Sequence, residues 1–207
     1  NEGRDVLPKA YGVDFGTIIK PVDKLVLNAT LWGLFLDQEF VYVGDAGIVE
    51  PSGKTRRVGV DLGGRYQLSD WLYLYSDVNY TYARSTEEAD GEDYIPLAPD
   101  FTAVGGLSIT DLGNFSGNLN YRYLGDRAAN EDNSIVAEGY FVTDLNLNYE
   151  IKNWTIGLIV ENLFDTEWNE TQFATESRLF NETASVEEIH FTPGTPFYLR
   201  GKVSVRF

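Results

Sequence analysis

The chain has 207 residues, 32 of them acidic and 16 basic, with one histidine and no cysteine or methionine. A net charge of −16 argues against a nucleic-acid binder, which needs a basic footprint. Without cysteine there is no zinc finger, thiol catalysis or disulfide staple, and His190 alone cannot build a multi-histidine metal site. An aromatic content of 14% with 20 glycines suits strands and turns better than a helical bundle.

Residues 1–9 read as the end of a loop closed by Pro8. From Tyr11 the chain alternates: Tyr11, Val13, Phe15, Thr17 and Ile19 on one face, Gly12, Asp14, Gly16 and Ile18 on the other. Successive side chains of a strand point to opposite faces, so period-2 patterning predicts a half-apolar strand. Residues 20–24 read as a short turn. The second strand sets Leu25, Leu27, Ala29, Leu31, Gly33 and Phe35 against Val26, Asn28, Thr30 and Trp32.

A glycine-containing connection over about 37–54 leads to a third strand. Its faces are Val58, Val60, Leu62, Gly64, Tyr66 and Leu68 against Gly59, Asp61, Gly63, Arg65 and Gln67. Ser69-Asp70 is read as a tight turn. The fourth strand sets Leu72, Leu74, Ser76, Val78, Tyr80 and Tyr82 against Tyr73, Tyr75, Asp77, Asn79 and Thr81.

After an acidic connection over about 85–99 come two strands around a turn at 111–114. One carries Phe101, Ala103, Gly105, Leu107 and Ile109; the other carries Phe115, Gly117, Leu119, Tyr121 and Tyr123. A polar loop over about 125–138 separates them from two more strands. These carry Phe141, Thr143, Leu145, Leu147, Tyr149 and Ile151, then Trp154, Ile156, Leu158 and Val160, around a turn at 152–153. Strict alternation would put Asn162 on the apolar face, so the strand is expected to end or bulge there.

The longest connection, about 165–193, is rich in Glu, Asn and Thr and is read as a loop. The final strand sets Phe197, Leu199, Gly201, Val203, Val205 and Phe207 against Tyr198, Arg200, Lys202, Ser204 and Arg206.

About nine strands result, each close to the roughly 9–11 residues a tilted strand needs to cross a bilayer. Short turns near 21–24, 69–70, 111–114 and 152–153 alternate with long loops near 37–54, 85–99, 125–138 and 165–193. A meander then gathers all short turns at one end and all long loops at the other. Apolar-outside, polar-inside strands with this loop asymmetry predict an all-β, antiparallel, up-and-down transmembrane barrel. The short-turn end, with Phe207, would be periplasmic. A sandwich would mix loop lengths through Greek-key crossovers.

Tyr66, Trp71, Tyr149 and Trp154 beside the short turns, and Tyr80, Tyr82, Tyr121 and Tyr123 near the long loops, would form two interfacial girdles. No run of about 18 apolar residues suggests a membrane helix. No secretory signal heads the chain, so a secreted protein is expected here as a mature form or a fragment.

Four stretches then resemble the C-terminal part of TonB-dependent outer-membrane receptors. They are Leu7-Pro8-Lys9-Ala10-Tyr11-Gly12-Val13-Asp14-Phe15-Gly16, Tyr121-Arg122-Tyr123-Leu124-Gly125-Asp126-Arg127, Val160-Glu161-Asn162-Leu163-Phe164-Asp165, and Pro193-Gly194-Thr195-Pro196 leading into the last strand. The order and spacing of these stretches carry the likeness, and it covers essentially the whole chain.

The resemblance implies a barrel of about 22 strands around a plug. Nine strands cannot close it, so residues 1–207 are expected to be the C-terminal part of the barrel domain, with the plug and the N-terminal strands absent. It further implies a bacterial outer-membrane location and high-affinity capture and import of a scarce nutrient, a ferric siderophore or similar bulky solute. Implied partners are membrane lipid, the TonB energy-transducing complex through the plug, and the barrel assembly machinery. That machinery would read Tyr198, Leu199, Val203, Val205 and Phe207, as a strand edge open to β-augmentation.

Ligand contacts are expected at Trp168, Phe173, Arg178 and Phe180 in the last loop, because aromatics and arginine supply recognition energy. Arg65, Arg122, Arg200, Lys202 and Arg206 are expected to pair with plug carboxylates.

No catalytic constellation stands out. Gly-Xaa-Ser-Xaa-Gly is absent, and His190 beside Glu187 and Glu188 is read as a loop histidine. Asp90-Gly91-Glu92-Asp93 with Glu87 and Glu88 lacks EF-hand spacing and is read as a solvated acidic loop. No enzyme activity, metal or cofactor is expected. Rival readings are a passive porin or small barrel, a barrel-embedded enzyme, and a soluble β-sandwich adhesin.

Overall fold

The computed structural model describes residues 8–43, 48–51 and 53–207. In chain order the strands are β1 (Ala10–Val22), β2 (Leu25–Leu36), β3 (Phe40–Val43), β4 (Ile48–Pro51), β5 (Thr55–Gln67), β6 (Leu72–Ser85), β7 (Phe101–Leu112), β8 (Phe115–Leu124), β9 (Arg127–Ala128), β10 (Val136–Ala137), β11 (Tyr140–Ile151), β12 (Trp154–Glu161), β13 (Asn169–Ser177), β14 (Val186–Pro193) and β15 (Tyr198–Val205). Nine of them form one antiparallel sheet in the order β1-β2-β5-β6-β7-β8-β11-β12-β15, the uninterrupted meander the loop rhythm predicts.

Register keeps the two faces apart. Thr17, Ala29, Leu62, Val78, Ala103, Tyr123 and Phe141 lie side by side across seven strands. Leu145, Val160 and Leu199 carry the same face to the end of the sheet. A one-residue slip anywhere would exchange the faces, so a consistent pattern over nine strands pins the register.

This sheet does not bury its apolar face. Val13, Phe15 and Leu31 are 66%, 76% and 58% exposed, whereas the largest fully buried side chains are Val142 and Asn162. A contiguous exposed apolar face of this extent has the character of the outward band of a membrane barrel.

Aromatic pairs line the same face: Phe101 meets Tyr123 edge-on at 5.6 Å, and Tyr121 stacks on Phe141 at 5.5 Å. The hydroxyls of Ser76 and Tyr121 satisfy each other at 2.7 Å, so a polar pair survives in this band without an orphaned group.

The short connections span 23–24, 68–71, 113–114 and 152–153. Gly113 (φ 61°) and Lys152 (φ 53°) take the left-handed conformation that tight hairpins require. Pro21 falls inside β1, where the pairing with β2 shifts register.

The long connections differ from the sequence expectation, because three of them carry hairpins of their own. β3 pairs with β4, β9 with β10, and β13 with β14, the last over most of the segment expected to be loop. Polar and acidic residues interrupt both faces of β13 and β14, which leaves neither strand a fully apolar face, so hydrophobic periodicity carries no signal there.

Candidate functional site

The long connections meet at one end of the sheet and are tied to one another. Thr86 N–H donates to the Lys54 carbonyl at 2.8 Å, and Lys54 Nζ lies 3.1 Å from Glu87 Oε1. Arg84 lies over the rings of Tyr82 (4.5 Å) and Tyr94 (4.0 Å) and pairs with the buried Asp93 at 3.6 Å. Tyr94 N–H donates to Glu131 O, and Leu97 N–H to Ala128 O, which joins residues 86–100 to 125–139. The buried Gln172 amide holds Glu138 at both its N–H (3.0 Å) and its carbonyl (2.7 Å), joining β13 to the preceding loop.

Hydrogen bonding to Lys54 holds the Glu87 carboxyl below its usual 4.5. A depressed carboxylate contributes fully above 4.5 and loses its contribution as pH falls through the folded value. The expected result is faster amide exchange at Lys54 as pH is lowered below 4.5 and through the depressed folded value, with no such change in Glu87→Gln. Exchange can be read by mass spectrometry after correction for intrinsic rates.

Asn162 is the joint of the last connection. β12 ends at Glu161, as the alternation requires, and Asn162 turns left-handed at φ 51° with 1% of its surface exposed. Its backbone N–H donates to Asp144 Oδ1 at 2.9 Å. Its Nδ2 donates to the Thr166 carbonyl (2.8 Å) and the Thr195 carbonyl (3.0 Å), and its Oδ1 accepts from Thr166 N–H (2.9 Å). Asp165 Oδ1 accepts from Phe197 N–H at 2.9 Å. The Asn-Leu-Phe-Asp run thus clips the base of the β13–β14 hairpin to the entry of β15.

On the polar face, three of the cations expected to pair with plug carboxylates already have a partner within the sheet. Arg65 pairs with Asp77 at 2.6 Å, Arg122 with Asp144 at 3.7 Å and Arg200 with Glu161 at 3.5 Å. Each carboxylate lies on a neighbouring strand, a cross-strand proximity that a linear reading does not display. Lys202 and Arg206 are exposed.

Further toward the loop end, residues 95–99 lie over a cavity of about 500 Å³. Trp32, Asn79, Thr81 and the Arg57–Glu39 ion pair line it. Gly59 beneath is needed because a Cβ there would sit 2.5 Å from the Trp32 ring. The Glu39 carboxylate is 13% exposed and Arg57 28%. Removing Arg57 strands a largely buried charge, so Arg57→Met should cost about 2 kcal/mol, and adding Glu39→Leu should restore most of it. A double-mutant cycle of urea midpoints in detergent checks this.

The four residues expected to bind ligand do not converge. Trp168 is half-buried at the hairpin base, its ring 4.8 Å from Tyr140 and 5.3 Å from the Arg122 guanidinium, with its Nε1 donating to Thr195 O. Phe173 lies within β13, opposite His190. Arg178 and Phe180 sit in the hairpin turn, where Phe180 is fully exposed.

Trp168, Tyr140 and Arg122 form one cluster on the polar face. Tyr140 was missed because it begins a strand rather than lying in a loop. Trp168 also borders a second cavity of about 660 Å³ with Glu138, Asp165, Phe191 and Pro196. Among the assembly-signal residues, Tyr198, Leu199, Val203 and Val205 lie in β15, and Phe207 lies just beyond it. β15 pairs with β12, and its other edge is open among the described residues.

Residues 8–163 match the family described as "TonB dependent receptor-like, beta-barrel". No curated protein sequence matches the chain. Among solved structures, the chain resembles the ferric citrate transporter FecA in its unliganded form (19% identity, TM-score 0.74, covering 97% of this chain and 31% of that one). It also resembles the ferric-catecholate import receptor Fiu from E. coli K12 in its closed form (22% identity, TM-score 0.71, 97% and 28%). A third is the ferric yersiniabactin uptake receptor FyuA from Yersinia pestis (17% identity, TM-score 0.67, 88% and 28%). The chain therefore spans about three tenths of the length of these structures. Both the matched residues and the two-faced nine-strand meander assign the chain to the TonB-dependent receptor β-barrel family of bacterial outer-membrane transport receptors.

Proposed function

We propose that this chain forms the C-terminal wall of a TonB-dependent receptor barrel that captures a scarce solute and imports it with energy delivered through TonB. The observation that carries the reading is the family match over residues 8–163 together with a sheet whose outer face is left apolar and whose inner face is neutralised by in-sheet ion pairs. A ferric siderophore or similarly bulky solute fits the transport of iron compounds by the structural neighbours. No chemistry on the solute is required.

In this reading, Leu62, Val78 and their row contact lipid. The TonB contact lies in a plug outside this chain. The open edge of β15, from Tyr198 and Leu199 through Val203 and Val205 to Phe207, engages the barrel assembly machinery by strand addition. Solute contacts from this wall come from Trp168 with Tyr140 and Arg122. Phe173, Arg178 and Phe180 on the β13–β14 hairpin act in first capture.

The test is uptake of labelled ferric siderophores by cells carrying or lacking the receptor that contains this chain. Accumulation should require both the receptor and the proton-motive force. Uptake that persists after the proton-motive force is dissipated would indicate a passive pore instead.

A further inference from the structure

The acidity of this chain is not spread over its surface. The four long connections, 37–54, 86–100, 125–139 and 162–197, hold 21 of the 32 acidic residues but only 3 of the 16 basic ones. They carry a net −18, and everything else carries +2. The whole excess sits at the end that first meets a solute.

The few cations there offset little of this charge. Lys54 pairs with Glu87, and Arg127 is half-buried, its guanidinium held below the usual value by desolvation. Arg178 stands exposed on the hairpin turn.

The loop-to-loop hydrogen bonds hold the carboxylates in place instead of letting them splay apart. Glu88, Glu92, Glu131, Asp132 and Glu187, from three different connections, line a single open cavity of about 670 Å³. Walls of one sign around a recess focus the field and reach potentials of several kT. At physiological salt such a potential extends about 8 Å, comparable to the size of a bulky solute. Among the described residues no group of histidine, aspartate and glutamate is arranged to cage a metal ion.

We infer that this loop face rejects anionic solutes, and that the solute the receptor takes is neutral or cationic. The inference rests on the transport reading above and narrows its substrate class. The polar wall beneath counters little of the field, because Arg65, Arg122 and Arg200 are each matched by a carboxylate on the next strand, and Lys202 and Arg206 lie toward the short-turn end of β15.

The test uses the full chain in neutral detergent micelles with three nitroxide probes of similar size: cationic, neutral and anionic. At low ionic strength, relaxation enhancement at the amides of 86–94, 130–134 and 186–188 should be at least about fivefold greater for the cationic than for the anionic probe. The ratio should fall toward one in about 0.5 M salt, and should stay near one at the turns 113–114 and 152–153. Replacing Glu88, Glu92, Glu131, Asp132 and Glu187 by their amides should at least halve it. A ratio near or below one at low salt, or one unmoved by the five substitutions, overturns the inference.

A second arm separates the two claims. Cells carrying the whole receptor are offered a cationic, a neutral and an anionic ferric hydroxamate. Energised uptake that favours the anionic complex overturns the charge rule and leaves the transport reading standing. No energised uptake of any complex, with the probe contrast intact, overturns the transport reading instead.

Discussion

Asn162→Ala should lower stability by about 4 kcal/mol. Three side-chain hydrogen bonds are lost, each worth about 1 kcal/mol, and two carbonyls and an N–H are left without partners in a site that is 1% exposed. Alanine also pays about 1 kcal/mol to hold the left-handed φ of 51°. The series sorts these contributions. Asn162→Gly recovers the backbone part and should be milder than alanine. Asn162→Asp keeps the acceptor for Thr166 N–H but turns the donor toward Thr166 O and Thr195 O into an oxygen, so it should be at least as damaging as alanine. Urea midpoints give the order. Cleavage confined to 163–168 under limited proteolysis would show that the hairpin base has been released while the sheet stays closed. An alanine variant as stable as the parent would remove Asn162 from its place as the joint of the last connection.

The same residue shows what the sequence makes legible. Alternation alone marked Asn162 as the place where the strand ends or bulges, because a polar Asn on the apolar face breaks the pattern, and β12 does end at Glu161. What Asn162 binds instead depends on Thr195, distant in sequence, and no linear pattern exposes that contact. The nine strands, their faces and the loop rhythm were legible for a related reason. Each strand repeats a two-residue period against a single external phase, so local pattern and global placement coincide. The β13–β14 hairpin was not legible, since it stands clear of that phase. The in-sheet partners of the polar-face arginines were not legible because they lie one strand away: Asp77 reaches Arg65 only once β5 and β6 are in register. The expected ligand residues do not converge, in part for the same reason. Trp168 acquires its meaning from Tyr140 and Arg122, while Phe180 lies at the far end of a hairpin the sequence did not announce.

Leu62→Arg should cost about 3 kcal/mol, the scale for a cation at the lipid-facing midplane of a barrel strand. Leu62 lies mid-strand in β5, between Ala29 and Val78 on the outer face, and is 49% exposed. In lipid the guanidinium can only snorkel along a side chain too short to reach either interface from the middle of a strand. The control is Thr30→Arg on β2 at nearly the same depth. Its side chain belongs to the polar face, directly opposite Asp61, so the new cation meets a carboxylate and water and the cost should stay below about 1 kcal/mol. The comparison keeps the added residue and the depth constant and changes only the face. Equilibrium unfolding in lipid vesicles measures both, and the heat-dependent gel shift gives the folded yield. In a soluble sheet the ranking would invert: arginine at an exposed Leu62 would raise solubility at little cost, whereas arginine at an inward Thr30 would disrupt a core. Equal or inverted costs would therefore refute the assignment of lipid to the outer face, and with it the physical basis for placing the apolar row from Thr17 to Phe141 in a membrane.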